Sequence, residues 1–445
     1  MTDLPQKLAL TPDLAVAEAP APGRSPIARV MERRRRTQAD RAASDVLSRE
    51  RQERLMLAVE QLQDDSVAVR LAGAAALARL ADEDAVRRQE CIDALCGVLR
   101  AAPAPYPAGP DADGAAEQLV AWRSDREFRH LILGVLTAHL RDDAVTSWRG
   151  YSLDFSGAVF DAGADLAESP PDAAGSATVS FAGLRFTGGR VSFRGARFAG
   201  GEVSFAGAEF AGGEVSFNGT VFSGAKVNFA GSTFAGTNVS LLGADFCGGE
   251  VSFAGAEFAA GKVSFHNRFS RGDVSFLGSR FTGGTVSFVE AEFIGGSVGF
   301  LDAEFIAGEV GFVGARFAGA EVSFVGAEFA GGRVSFTGAT FADGPVSFVG
   351  SEFNAGEVKF SWAEFCGSEI RFAAAKFRGG NVGFDRAKFT SGEIDFTSAH
   401  FSGSVLDFSD ALTWSAPPSF DEWTSPPPGL KLPAREEASA KADAS

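Results

Sequence analysis

Phe205-Ala206-Gly207-Ala208-Glu209-Phe210-Ala211-Gly212-Gly213-Glu214-Val215-Ser216 is one copy of a twelve-residue unit that decides the fold. The unit, F-x-G-A-x-F-x-G-G-x-V-S, recurs nineteen or twenty times between Val179 and Phe408. Its first Phe column runs Phe181, Phe193, Phe205 and onward to Phe408, broken only by Leu241. Its second runs from Phe186 to Phe401 without exception. The two columns hold 38 of the 42 Phe in a chain of 445 residues. A fixed period of this kind marks a solenoid, in which each unit buries its apolar face only against its neighbours.

Cutting the unit at its rings leaves A-x-F-x-G, a two-residue spacer, and V-S-F-x-G. Val or Ile stands two before one Phe from Val179 to Ile394, and Leu406 closes that column. Ala, Ser or Thr stands two before the other from Ala196 to Ala399, except at Asn267; Leu184 precedes this run. In extended chain, residues i and i−2 share a face. The Phe and its small partner therefore face inward, and the intervening Ser, Glu or Arg faces water. Gly permits the corners. A coil made of two units encloses four Phe, two Val and two Ala. Surface charge agrees with that coil. The outward positions of one alternate set of units carry eleven acids and three bases, those of the other set six acids and seven bases. Ten coils rising about 4.8 Å each predict a rod on the order of 45–50 Å long.

With its small residue two before a central Phe, this stretch resembles the pentapeptide-repeat family. The resemblance covers about half the chain and departs from the family pattern by the Gly-x spacer in every second side. It implies a mainly β fold, a right-handed quadrilateral β-helix with four five-residue sides per coil. The family includes many bacterial proteins with a helical N-terminal segment, often behind membrane helices. No stretch here is apolar over about 18 residues, so membrane anchoring is not carried over.

Outside the repeat the organisation changes. Residues 1–25 are rich in Pro, Ala and Asp without periodicity, which predicts disorder. They lack the basic start and apolar core of a signal peptide. Residues 26–141 read as α-helical: Ser25-Pro26 as N-cap and first helical residue, a charged run from Glu32, then Leu55, Val59 and Leu62 at helical spacing. Asp64-Asp65-Ser66 reads as turn and cap. Further helices carry Leu71, Ala74, Leu77 and Leu80; Ile92, Leu95, Val98 and Leu99; and Leu119, Phe128, Leu131, Ile132, Val135, Leu136 and Leu140. The stretch Val69-Arg70-Leu71-Ala72-Gly73-Ala74-Ala75-Ala76-Leu77-Ala78-Arg79-Leu80 resembles a HEAT-type helical repeat, departing from it at Gly73. That resemblance implies a binding surface; the alternative is a small α-helical cap over the open end of the solenoid. Residues 142–178 form a transition and loop, 179–411 the solenoid, 412–434 a C-terminal cap built on Trp414, Phe420 and Trp423, and 435–445 a disordered tail.

Chemistry-bearing motifs are absent from the sequence, and no cofactor or metal is expected. Cys91, Cys96, Cys247 and Cys366 lack metal-type spacing and read as free thiols of a reducing cytosol. His130 and His139 are nine apart on a helix, too far for one metal. Gly295-Gly296-Ser297-Val298-Gly299 matches a nucleophile elbow, but Gly295-Gly296 is the usual turn pair and no helix follows. The expectation is a cytoplasmic, non-enzymatic structural or scaffolding protein that binds a protein partner through the rod, the helical region or both. The net charge of −16 argues against direct contact with nucleic-acid backbones. The alternative reading is a DNA-mimicking inhibitor of a type II topoisomerase, which the family resemblance implies. Residues 181–408 hold 23 acids and 17 bases, a thin excess for such a mimic. Two surface features stand out. Glu304, Glu328 and Glu352 recur once every two units, so two-unit coils stack them into a candidate partner surface for a basic protein. Phe265-His266-Asn267-Arg268-Phe269 is one residue short, and Lys262, Arg268, Arg271 and Arg280 around it form a candidate basic docking spot.

Overall fold

A computed structural model describes residues 26–106, 114–141, 143–160, 164–165 and 178–433. The expected disordered ends, 1–25 and 435–445, and the loop around Pro170-Pro171 lie outside the described residues. Among the described residues four helices precede the strands: α1 (Pro26–Gln61), α2 (Val67–Glu83), α3 (Arg88–Arg100) and α4 (Ala115–Leu140). The chain divides into two compact units, Met1–Met56 and Leu57–Ser445. In the first, α1 is exposed along residues 37–50.

In the second unit α2, α3 and α4 pack through Leu77, Leu80, Ile92, Leu95, Phe128, Ile132 and Leu136, all buried. Gly73 sits where α2 packs on the last turn of α1: a Cβ there would meet the Ala58 carbonyl and the Gln61 Cβ at 2.8 Å. The turn before α2 forms, but the Asp64 carboxylate accepts the Ser66 N–H at 2.7 Å, and the Ser66 hydroxyl makes no capping bond. Leu131, grouped by spacing with the core, is half exposed. Arg129 is buried in its place. Its guanidinium donates to the carbonyls of Leu99 and Ala101 at the end of α3 and to the Asp125 carboxylate. Those carbonyls are the orphan acceptors of a helix C-terminus, which a cation suits.

The helices close the first coil. Among the described residues Leu153–Asp154 pairs with one strand only, Val179–Ser180, and so forms an edge. The Gln89 amide occupies the other side. It donates to the Ser152 carbonyl at 2.8 Å and accepts the Ser152 N–H at 2.9 Å, as a neighbouring strand would. Arg100 donates to the Asp154 carbonyl and carboxylate at 3.1 and 2.6 Å. Burial opposes ionisation of Asp154, yet hydrogen bonds from Ser156 and Arg100 hold its carboxyl below the ordinary range. Trp148 is fully buried, stacks on His139 at 3.9 Å and donates to Asp82 at 2.9 Å. The far end is closed by rings: Phe420 stacks on Phe396 at 5.1 Å and Trp414 meets Phe408 edge-on at 5.6 Å.

The solenoid itself has about eleven turns and two all-parallel sheets. Strand register is that of two units per coil: Phe305 pairs with Phe329, and Phe329 with Phe353. Of the 38 column Phe, all are buried except Phe401, which is partly exposed beside Trp423. Along the axis the rings stack at the spacing of the coils, the centroids of Phe300 and Phe324 and of Phe324 and Phe348 lying 4.7 Å apart. Across the interior they meet edge-on, Phe312 to Phe324 at 5.9 Å and 82°. Both arrangements suit the aromatic quadrupole. Ser and Thr in the small column donate to carbonyls of the preceding coil, as Ser351 does to Phe324 at 2.7 Å.

The glycines do two different jobs. Most F-x-G-A stretches are tight corners whose Gly has positive φ and open space beyond it, as at Gly207 and Gly338. The Gly-Gly spacer is not a corner. It is a bulge within a sheet, so strands such as Asp245–Ser252 run through it with a register shift. The four strand columns of a coil are thereby joined two by two into two sheets. At the bulge backbones touch: a Cβ on Gly308 (φ +77) would lie 2.6 Å from the Gly284 carbonyl oxygen. A corner has room for a side chain, whereas a positive-φ bulge glycine packed on the coil beneath it, as Gly308 is, does not. Six corner positions carry another residue at positive φ: Glu290, Asp302, Trp362, Ala374, Arg386 and Ser398. Left-handed backbone costs an L-residue about 1–2 kcal/mol. Ala374→Gly is therefore expected to stabilise the protein by about 0.5–1 kcal/mol after the loss to unfolded-chain entropy, and Gly308→Ala to destabilise it by more than that. Urea midpoints of the two variants check both signs.

The short stretch at Phe265–Phe269 deletes a corner Gly and makes one coil a residue shorter than its neighbours, with Asp245 opposite Arg268 and Glu257 opposite Arg280. Leu241, the one break in the Phe columns, lies directly beneath it: its N–H donates to the Ser264 carbonyl at 2.9 Å. The two irregularities thus occupy adjacent coils of one column. Asn267 is buried there, with neither its Nδ2 nor its Oδ1 bonded.

Candidate functional site: the charged faces of the rod

Each outward position of the repeat becomes a ladder along the rod. One ladder runs Arg280, Glu304, Glu328, Glu352, Lys376 in strict register. The three stacked carboxylates expected from the spacing are adjacent. Cations bound them at both ends. Arg280 donates to Glu304 at 3.2 Å; Lys376 and Arg378 donate to Glu352 at 2.8 and 2.5 Å. The Lys376 hydrogen bond, with Arg378 beside it, holds the Glu352 carboxyl below its ordinary range. Glu328 in the middle accepts, among the described residues, only the Asn354 amide, at 2.8 Å. Unit charges 4 Å apart interact by about 1 kcal/mol in water, so the uncompensated middle of the ladder attracts a cation.

The four cations of the short coil are not gathered. Arg268 and Arg271 belong to one sheet, Lys262 and Arg280 to separate columns of the other. Arg268 lies 3.8 Å from Glu292, and Arg280 is committed to Glu304. Other columns also alternate in sign and pair across coils: Arg185 with Glu209, Arg190 with Glu214, Arg333 with Glu357, Lys388 with Glu364. Exposed pairs of this kind contribute little each, about 0.2–1 kcal/mol.

Two features escaped the sequence reading. The corner beside the Glu ladder carries Leu277, Leu301, Val325 and Val349 in consecutive coils; Leu301 lies beside Val325 through the Asp302 N–H, which donates to the Val325 carbonyl at 3.1 Å. Leu277 and Leu301 are 44% and 40% exposed, enough to make this an apolar ridge rather than core. On its other side a second column holds Asp273, Ser297 and Glu321. Glu321 meets no basic side chain among the described residues, nor does Asp302 on the ridge itself. The signal was present in the sequence, in the residue after every second column Phe.

Among the described residues no group of three or more His, Cys, Asp or Glu could hold a metal ion, and no helix is long and apolar enough to cross a membrane. All four cysteines are free. Burial pushes the thiols of Cys91 and Cys96 up to about 11 and about 12. Both stay protonated at neutral pH and are poor nucleophiles. Comparison with protein-family models, with curated proteins and with solved structures finds no match.

Proposed function

We propose that the chain is a non-enzymatic scaffolding protein of the pentapeptide-repeat kind, acting in the cytoplasm, that binds a protein partner through its rigid solenoid, its HEAT-like helical region or both. One observation carries the reading: the Phe stacks fill the solenoid interior, so what the repeat offers a partner is a regular outer surface. On that surface Glu304, Glu328 and Glu352 are the strongest candidates for a basic partner. The paired ladders of alternating sign favour scaffolding over DNA mimicry, since B-DNA presents phosphates without interspersed cations.

Replacing Glu304, Glu328 and Glu352 together by Gln is expected to weaken partner capture by the full-length protein, most strongly at low salt, where charges are least screened. Capture unchanged at low ionic strength assigns the contact to the helical region instead. Inhibition of DNA supercoiling in a topoisomerase assay would turn the reading toward the mimic.

A further inference from the structure

We propose that the apolar ridge and its acidic flanks bind helix α1 of a second copy of this chain, so that copies join head to tail. The proposal rests on the reading that this surface is a protein-binding one. It goes beyond it by naming the occupant.

The ridge presents four aliphatic side chains, Leu277, Leu301, Val325 and Val349, one per coil. At about 4.8 Å per coil they span about 14 Å. Asp302, Glu321 and Glu328 surround them without a basic partner among the described residues. A surface that is apolar along its crest and acidic on both sides suits a helix that is apolar on one stripe and basic overall.

The chain carries such a helix. In α1, Ala39, Ala42, Ala43, Val46 and Leu47 follow the i, i+3, i+4, i+7, i+8 pattern of a single apolar face. Every one of them is exposed, Val46 by 63% and Leu47 by 51%. At 1.5 Å per residue the stripe is about 12 Å long, close to the length of the ridge. Helix turns repeat about every 5.4 Å and coils about every 4.8 Å, so successive turns meet successive coils. Charge is complementary as well. Residues 26–56 hold nine Arg and five acids, a positive segment in a chain of net charge −16. Arg35 stands one turn before the stripe, and Arg49 three residues after Val46.

The contact is heterologous: each copy offers one helix and one ridge, and binding uses one of each. Such contacts do not close on themselves unless a rotation happens to do so, and they otherwise build open chains. The assembly therefore grows with concentration rather than stopping at a dimer.

Sedimentation of the full-length protein tests this. At about 0.01 M salt, where the screening length is about 30 Å, it should associate reversibly with rising concentration; at about 1 M, where that length is about 3 Å, association should weaken at least tenfold. Val46→Glu with Leu47→Glu, or Leu301→Glu with Val325→Glu, should each abolish association. All four positions are at least partly exposed, and unchanged circular dichroism shows that both variants fold. Mixing the two variants is decisive. Each retains the half that the other lacks, so the mixture should form a one-to-one dimer and nothing larger. Glu321→Gln with Glu328→Gln, which leaves the apolar ridge intact, should flatten the salt dependence.

A protein monomeric at every concentration at low salt overturns the proposal. So does association that survives the ridge variant, which would mean that α1 pairs with itself, or a mixture of variants that stays monomeric. Failure here leaves the broader reading standing, provided that a foreign basic partner is still captured through Glu304, Glu328 and Glu352.

Discussion

Phe324→Ala is expected to destabilise the protein by about 3–5 kcal/mol, the range for emptying a buried aromatic site. Phe324 is fully buried midway along the rod. Its ring is stacked on Phe300 and Phe348, at 4.7 Å on each side, and meets Phe312 and Phe336 edge-on at 5.9 Å. The site cannot collapse, because strand pairing holds the flanking coils in register on both sides of the gap. A ring lost from the end of the stack costs less. Phe401, partly exposed beside Trp423, sets the comparison: Phe401→Ala should cost well under half as much. Denaturant midpoints of the two variants measure the difference. Equal losses would mean that stability is set by local turns rather than by the continuous stack.

Removing residues 1–150 should leave a solenoid that folds but associates through its first coil, without the salt dependence expected of α1. The truncation uncovers Leu153 and Phe155, which are 4% and 0% exposed in the whole protein. It also takes away Gln89 and Arg100, which satisfy the backbone of the edge strand at Ser152 and Asp154. A bare parallel edge with apolar side chains is a template for another chain. Removing residues 1–56 alone is the control: it keeps α2, α3 and α4 over the coil, and that protein should stay dispersed. Light scattering at rising concentration separates the two. A truncated rod that remains monomeric would show that the helices do not serve as a cap.

Much of the architecture was legible in the sequence because inside and outside are local properties of extended chain. Phe and its partner two residues earlier must share a face, whatever the coil does next. The two-unit turn was legible too, since Glu304, Glu328 and Glu352 repeat at the spacing that strand pairing confirms. The helical stripes through Leu77, Leu80, Ile92 and Leu95 were visible by the same logic of period.

Tertiary structure decided which outward residues are neighbours. The Gly-Gly step reads the same as a corner or as a bulge; only backbone packed on backbone, as at Gly308 over Gly284, makes it a bulge. Lys262, Arg268, Arg271 and Arg280 are close in sequence yet spread over both sheets, because the shortened coil carries the chain around the rod between them. Arg280 instead meets Glu304, and Glu352 meets Lys376, each a full coil away. Gln89 and Arg129 gained their roles from partners 63 and 30 residues distant. The sequence by itself determined the coil and its filling, through alternation and period. The ladders, the ridge and the caps came from closure of the coil, which brings together residues that no local pattern links.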